Sequence, residues 1–198
     1  MFKKKTEIIP EWIVAGLGNP GKKYEKTRHN AGFICIDEVA KTAGVKINKA
    51  RFDSKTALVL LDGVPCLLMK PQTFMNASGG AVSQACDEYG IPAERVLVIS
   101  DDVSFNVGST RIRKSGSSGG QKGVNDIIEM LGTQDFPRIK VGAGKKPEGT
   151  AMVDWVLGDF TEEELVTMQE VAERVNSAVS EIVKGNIELA ISRYNKIV

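Results

Sequence analysis

What most limits how this chain can fold is its punctuation. Short apolar runs of strand length each break at a cluster of Gly, Asn, Asp or Ser, and alternate with stretches whose apolar residues recur at helical spacing. Trp12 to Ala15 is one such run and stops at Gly16; Phe33, Ile36, Val39, Ala40 and Ala43 then recur up to a Gly44 stop. Thr56 to Leu61 and Val64 to Met69, joined by Asp62 and Gly63, predict a hairpin, with Pro65 pointing to an edge strand. Val82, Ala85, Cys86 and Tyr89 mark a second helix before Gly90, and Arg95 to Ser100 a strand ending at Asp101 and Asp102. Ser109 to Lys114 alternates as a half-exposed strand, followed by the Ser/Gly run 115–120, a short helix from Val124 to Leu131 and a strand from Arg138 to Val141. Lys145 to Thr150 carries Pro147 and Gly149, so residues 145–155 are expected to form a mobile loop. Thr161 and Glu164 have capping-box spacing and open the C-terminal helices expected over 161–196. This order predicts a single α/β domain over residues 1–198, in three α/β/α layers with a twisted mixed sheet.

Composition removes several classes of function. The longest apolar runs are too short to cross a membrane. Residues 1–10 read as a flexible basic tail, because Pro10 and Glu11 interrupt the apolar stretch a signal peptide needs. Cys35, Cys66 and Cys86 are an odd, widely spaced set that suggests neither a disulfide framework nor a zinc site. A single histidine leaves no His-based metal site, so no metal is expected, and a reduced cytoplasmic protein fits best. The net charge of +1 hides an asymmetry: residues 1–147 carry 22 Lys/Arg against 15 Asp/Glu, a net +7, and residues 148–198 carry 4 against 10, a net −6. A polyanion-binding surface therefore belongs to the first three-quarters of the chain.

That one histidine, His29, lies in the densest polar cluster, Gly16 to Gly21 followed by Tyr24 and then Thr27 to Asn30. It is the one side chain whose unperturbed pKa lies near neutrality. Gly16, Gly18 and Gly21 match the dinucleotide-binding spacing, but no helix opens at the third glycine and Asp37 falls in mid-helix, so no nucleotide cofactor is expected. In open α/β sheets ligands bind beyond the carboxyl ends of strands. Strand ends here deliver Asn19 with His29, then Phe74 to Asn76, then Asp101 and Asp102, then Ser115 to Lys122. A histidine, a carboxylate and two carboxamides are the groups needed to attack a carbonyl with water.

G-L-G-N-P-G (16–21), Y-x-x-T-R-H-N-A-G-F (24–33), K-P-Q-T-F-M-N-x-S-G, the D-D strand end, G-G-x-x-G-x-x-D-I-I and R-I-K-V-G-A-G follow one another in this order. Together they closely resemble the bacterial peptidyl-tRNA hydrolase family. The resemblance implies cleavage of the ester between a peptide and the 3′-terminal ribose of tRNA, by a cytoplasmic monomer without metal or cofactor. It implies His29 as general base, Asp102 as the carboxylate supporting it, and Asn19 at the peptide backbone near the ester. Tyr24, Phe74 and Asn76 then bind the tRNA 3′ end with Met75 shaping the cleft, and Arg113 and Lys140 clamp a 5′ phosphate. Two departures stand out. Gly119-Gly-Gln-Lys-Gly123 replaces the family's usual Gly-Gly-His-Asn-Gly, placing Lys122 where an asparagine binds the tRNA end, and Asp101 stands where a histidine is frequent. A lysine only donates, so any contact needing a carbonyl acceptor at 122 is lost. The alternative is a non-catalytic RNA-binding relative of the same fold, of the splicing-factor kind, toward which Lys122 leans. The intact Asn19, His29, Asn76 and Asp102 argue for the enzyme.

Overall fold

A computed structural model of the chain describes residues 8–198. Most of the basic tail expected over 1–10 thus lies outside the described residues. Seven strands form one sheet: β1 (Trp12–Gly16), β2 (Lys49–Arg51), β3 (Ser54–Leu61), β4 (Val64–Pro71), β5 (Val96–Asp102), β6 (Thr110–Arg113) and β7 (Arg138–Gly142). Six α-helices accompany them among the described residues: α1 (Ala31–Thr42), α2 (Ser78–Tyr89), α3 (Lys122–Leu131), α4 (Met152–Leu157), α5 (Glu162–Val183) and α6 (Ile187–Tyr194). The strand order is β2-β3-β4-β1-β5-β7-β6. The four inner strands, β4, β1, β5 and β7, run parallel, and both edges are antiparallel additions.

Both faces of the central strands are covered, which is why their sequences are continuously apolar instead of alternating. Val14, Leu97, Ile99, Ile139 and Val141 pack with α1 and α5 through Ile36, Val39, Val171, Val175 and Val179. Ile13, Ala15, Val96 and Val98 face the other way, onto Val82 and Ala85 of α2 and Val124 and Ile127 of α3. The three layers expected from the alternation of elements are therefore present. The long α5 begins with the anticipated capping box: Thr161 Oγ1 accepts from Glu164 N at 3.1 Å, and Glu164 Oε2 accepts from Thr161 N at 2.8 Å.

Three expectations need correction. Pro65 does not mark an edge, because β4 lies between β3 and β1. Its carbonyl turns toward β1 and accepts from Glu11 N at 2.8 Å, so its missing N–H falls on that side, just before the β1 ladder starts at Trp12 opposite Cys66. The sequence reading also misses β2, a three-residue, fully exposed Lys-Ala-Arg strand with no apolar signal. Finally, the segment expected as loop over 145–155 becomes helical at Met152, where Trp155 Nε1 donates to Gly144 O at 2.9 Å and folds α4 back over the end of β7.

Candidate active site

The carboxyl ends of β1, β5 and β7 meet the turns that precede α1, α2 and α3. Close approach of α1 makes this possible. A Cβ on Gly32 would lie 2.3 Å from Ile99 O and 2.5 Å from Leu17 N, so only glycine lets the first turn of α1 press onto β1 and β5. Phe33 N then donates to Leu17 O, and the short 3₁₀ turn Arg28–Asn30 carries His29 to the end of β5.

His29 is 8% exposed, and its Nδ1 lies 3.0 Å from Oδ2 of Asp101, which is 4% exposed. The carboxylate partner is thus Asp101 and not Asp102, which corrects the pairing implied by resemblance. Side chains alternate along a strand. Leu97, Ile99 and Asp101 face α1 and the histidine turn, whereas Ser100 and Asp102 face the opposite way. Asp102 accepts from Lys140 Nζ at 3.0 Å and from both the backbone N and the hydroxyl of Ser104. Burial alone would raise its carboxyl, but the Ser104 donors and Lys140 outweigh that and hold it below the ordinary carboxylate value.

Asn19 is buried, and its carboxamide oxygen is occupied by Met75 N at 2.9 Å. Asn30 fixes its backbone from both sides, accepting from Asn19 N at 2.8 Å and donating to Asn19 O at 3.0 Å. What Asn19 offers the cleft is therefore an N–H donor, its Nδ2. Met75 is buried beneath the cleft, while Phe74 stands 60% exposed at its rim beside exposed Asn76.

These groups line one cavity of about 440 Å³, open to solvent. Asn19, Tyr24, His29, Phe74, Met75, Asn76, Asp102, Lys122 and Lys140 all border it, so nine of the ten residues singled out in the sequence are brought together. Arg113 is the exception. It is exposed on β6 and does not line the cavity, although with Arg111 opposite Lys140 and Arg113 opposite Arg138, all four basic side chains share one face of the β6–β7 pair. The opposite wall is apolar: Met152, Val153, Val156 and Leu157 of α4.

Several residues of the site's polar network escape sequence reasoning. Asp101 was hidden by its twin, because both faces of β5 are buried and no alternation sets its parity. Gln121 caps α3 and donates from Nε2 to Asp101 Oδ1 at 3.0 Å. Arg28 pairs with Glu164 at 2.7 and 3.0 Å, donates to Ala143 O, and lies 4.0 Å from the Trp155 ring, tying the histidine turn to α4 and α5. Only the adjacency of Arg28 to His29 hinted at that role.

No group of three or more His, Cys, Asp or Glu side chains among the described residues is arranged to hold a metal ion. The three cysteines are free and buried, and burial pushes their thiols up, Cys35 and Cys66 to about 12 and Cys86 to about 11. None is poised as a nucleophile. A buried imidazole with one nitrogen on a carboxylate and its ring on an open cleft is built to take a proton from water.

Known proteins resemble the chain over nearly its whole length. The family model described as Peptidyl-tRNA hydrolase matches residues 13–198. A peptidyl-tRNA hydrolase of Caldanaerobacter subterraneus subsp. tengcongensis is 47% identical over 184 residues, 93% of this chain and 99% of that protein. One from Thermoanaerobacter sp. is 45% identical over the same coverage. The crystal structure of peptidyl-tRNA hydrolase from Acinetobacter baumannii superposes with a TM-score of 0.89 at 28% identity, covering 97% of this chain and 98% of that one. With sequence, fold and cleft in agreement, the chain belongs to the peptidyl-tRNA hydrolase family.

Proposed function

We propose that this hydrolase cleaves the ester joining a peptide to the 3′-terminal ribose of tRNA, by direct attack of water with His29 as general base and Asp101 as its carboxylate partner. The observation that carries the mechanism is the 3.0 Å contact between His29 Nδ1 and Asp101 Oδ2, which leaves Nε2 as the basic nitrogen of a ring on the open cleft. Nε2 takes a proton from water as its oxygen bonds to the ester carbonyl carbon, and Asp101 stabilises the imidazolium that forms. Asn19 Nδ2 is the donor for the carbonyl oxygen as it becomes negative. The C–O bond to ribose then breaks, and His29 returns the proton to the ribose oxygen.

The cleft offers different surfaces to the two halves of such a substrate. Exposed Phe74 presents an aromatic face for a terminal base, with Tyr24 and Asn76 on the same rim and Met75 beneath. Lys122, at the first turn of α3, is a point charge suited to a phosphate rather than to a base edge. The apolar α4 wall suits apolar parts of the peptide. Lys140 and Arg113 extend the basic face toward a 5′ phosphate, and Lys140 must exchange Asp102 for that phosphate. Such contacts position without reading sequence.

Purified protein is expected to deacylate N-acetyl-aminoacyl-tRNA far faster than the unblocked aminoacyl-tRNA, with an acid limb in kcat/KM reporting one base. Release of neither acyl group would sink the proposal. The non-catalytic RNA-binding alternative is not favoured, since family and intact histidine–carboxylate pair both speak for hydrolysis. The same reading places the reaction in the cytoplasm with the protein as a monomer. A dimer by light scattering at assay concentration would remove the monomer.

A further inference from the structure

The histidine–carboxylate pair occupies only one oxygen of Asp101. Its other oxygen, Oδ1, receives Gln121 Nε2 at 3.0 Å. The orientation of that carboxamide is dictated from elsewhere, since Gln121 Oε1 accepts from Val124 N at 2.7 Å as the N-cap of α3. An oxygen held by an N–H leaves the amide nitrogen facing Asp101, and flipping the group would break both bonds. Packing holds the arrangement in place. A Cβ on Gly123 would lie 2.6 Å from Met75 Sδ and 2.9 Å from Leu17 Cδ1, so α3 begins as close to the Met75 turn as a chain can come. Gln121 Nε2 itself rests 3.1 Å from that sulfur.

From this geometry we infer that Gln121 is a positioning residue for the hydrolase, a neutral third member that fixes the rotation of the Asp101 carboxylate and, through it, the tautomer and direction of His29. The inference rests on the hydrolytic reading above. A buried carboxylate with one donor can rotate about its Cβ–Cγ bond and offer the imidazole either oxygen; with a donor on each oxygen it cannot without leaving one unsatisfied. Because a glutamine does not titrate, this hold on Asp101 is independent of pH across the working range.

Two variants separate positioning from capping. Gln121→Asn keeps a carboxamide that can cap α3 but is one methylene too short to reach Asp101 as well. Gln121→Glu keeps an oxygen for Val124 N and turns a second carboxylate on Asp101. Gln121→Asn is expected to lower kcat about 10- to 100-fold with little change in KM or in melting temperature. Gln121→Glu is expected to move the acid limb of kcat/KM upward by about one pH unit, because added negative charge favours the imidazolium. His29 is the only histidine in the chain, so its two ring nitrogens give an unambiguous NMR signature in every variant. Both substitutions should shift those resonances, and Gln121→Asn should lower the population of the Nδ1–H tautomer. His29 resonances that stay put in both variants overturn the inference and leave Gln121 as a helix cap, whatever the rate does. If the unmutated chain fails to cleave N-acetyl-aminoacyl-tRNA, the hydrolytic reading falls separately, while the resonances still judge Gln121.

Discussion

On one side of the last turn of β5, Asp101 is sealed between His29 and Gln121, and the neighbouring Arg28 is locked by Glu164, Trp155 and the carbonyl of Ala143. On the other side, one residue along, Asp102 shares Lys140 with half-open cleft and stands on the basic face of β6 and β7. Both aspartates end the same strand, yet the buried side is built for a fixed geometry and the open side for exchangeable charge. Electrostatics among buried side chains are strong and demand that every group be paired. At the rim they are screened, and partners can be swapped for those of a ligand. The proposed mechanism uses the first environment for catalysis and the second for polyanion capture; the two-residue period of a strand supplies both from consecutive positions.

The largest test of this contrast is to remove the charge on each side in turn. His29→Ala and Asp101→Asn should each lower kcat by about 10² to 10⁴-fold, with the far-UV circular dichroism of the folded chain retained. Asp102→Asn should leave kcat close to that of the unmutated enzyme. A severe Asp102→Asn variant alongside an active Asp101→Asn variant would invert the assignment.

Next in size is the lock behind the buried side. Burial alone would raise the Glu164 carboxyl, but the Arg28 guanidinium and Thr161 N–H outweigh it and hold the group below its ordinary value. A carboxyl depressed in the folded state adds stability at pH values above its unfolded value, and that stability is lost as pH falls through the folded one. Glu164→Gln is expected to destabilise by about 1–3 kcal/mol near neutrality, with the difference shrinking on acidification. Urea titrations at pH 7 and pH 3 read both quantities, and a penalty that is the same at both would show the charge to be irrelevant.

The smallest effects belong to the open side. Lys140→Ala should weaken substrate binding and reduce the slope of log Kd against log salt by about 1. Arg113→Ala should do the same if the 5′ phosphate clamp exists, and an unchanged slope would exclude Arg113 from it. Asp102→Asn should act in the opposite direction, tightening binding at low salt by freeing Lys140 from its carboxylate.

Much of this molecule was legible in one dimension because the relevant information is local. Helix stops at Gly44 and Gly90, the Thr161 capping box and the 56–69 hairpin are signals carried within a few residues, and each corresponds to an observed terminus or turn. Less was legible where a signal is ambiguous or missing. The exposed Lys-Ala-Arg of β2 carries no apolar pattern, and Pro65 is tolerated inside the sheet because its nitrogen meets the point where a ladder has not yet begun.

The sequence by itself determined the α/β architecture and the set of polar loops from which a cleft could be made, because strand and helix periods and turn chemistry are properties of neighbouring residues. Only the tertiary structure decided which aspartate meets the histidine, that Gln121 reaches the same carboxylate, and that Arg28 anchors the histidine turn to α5. Those contacts join residues 72, 20 and 136 positions apart. They depend on the parity of a strand buried on both faces and on how closely Gly32 lets a helix approach it, quantities that exist only once the layers have packed.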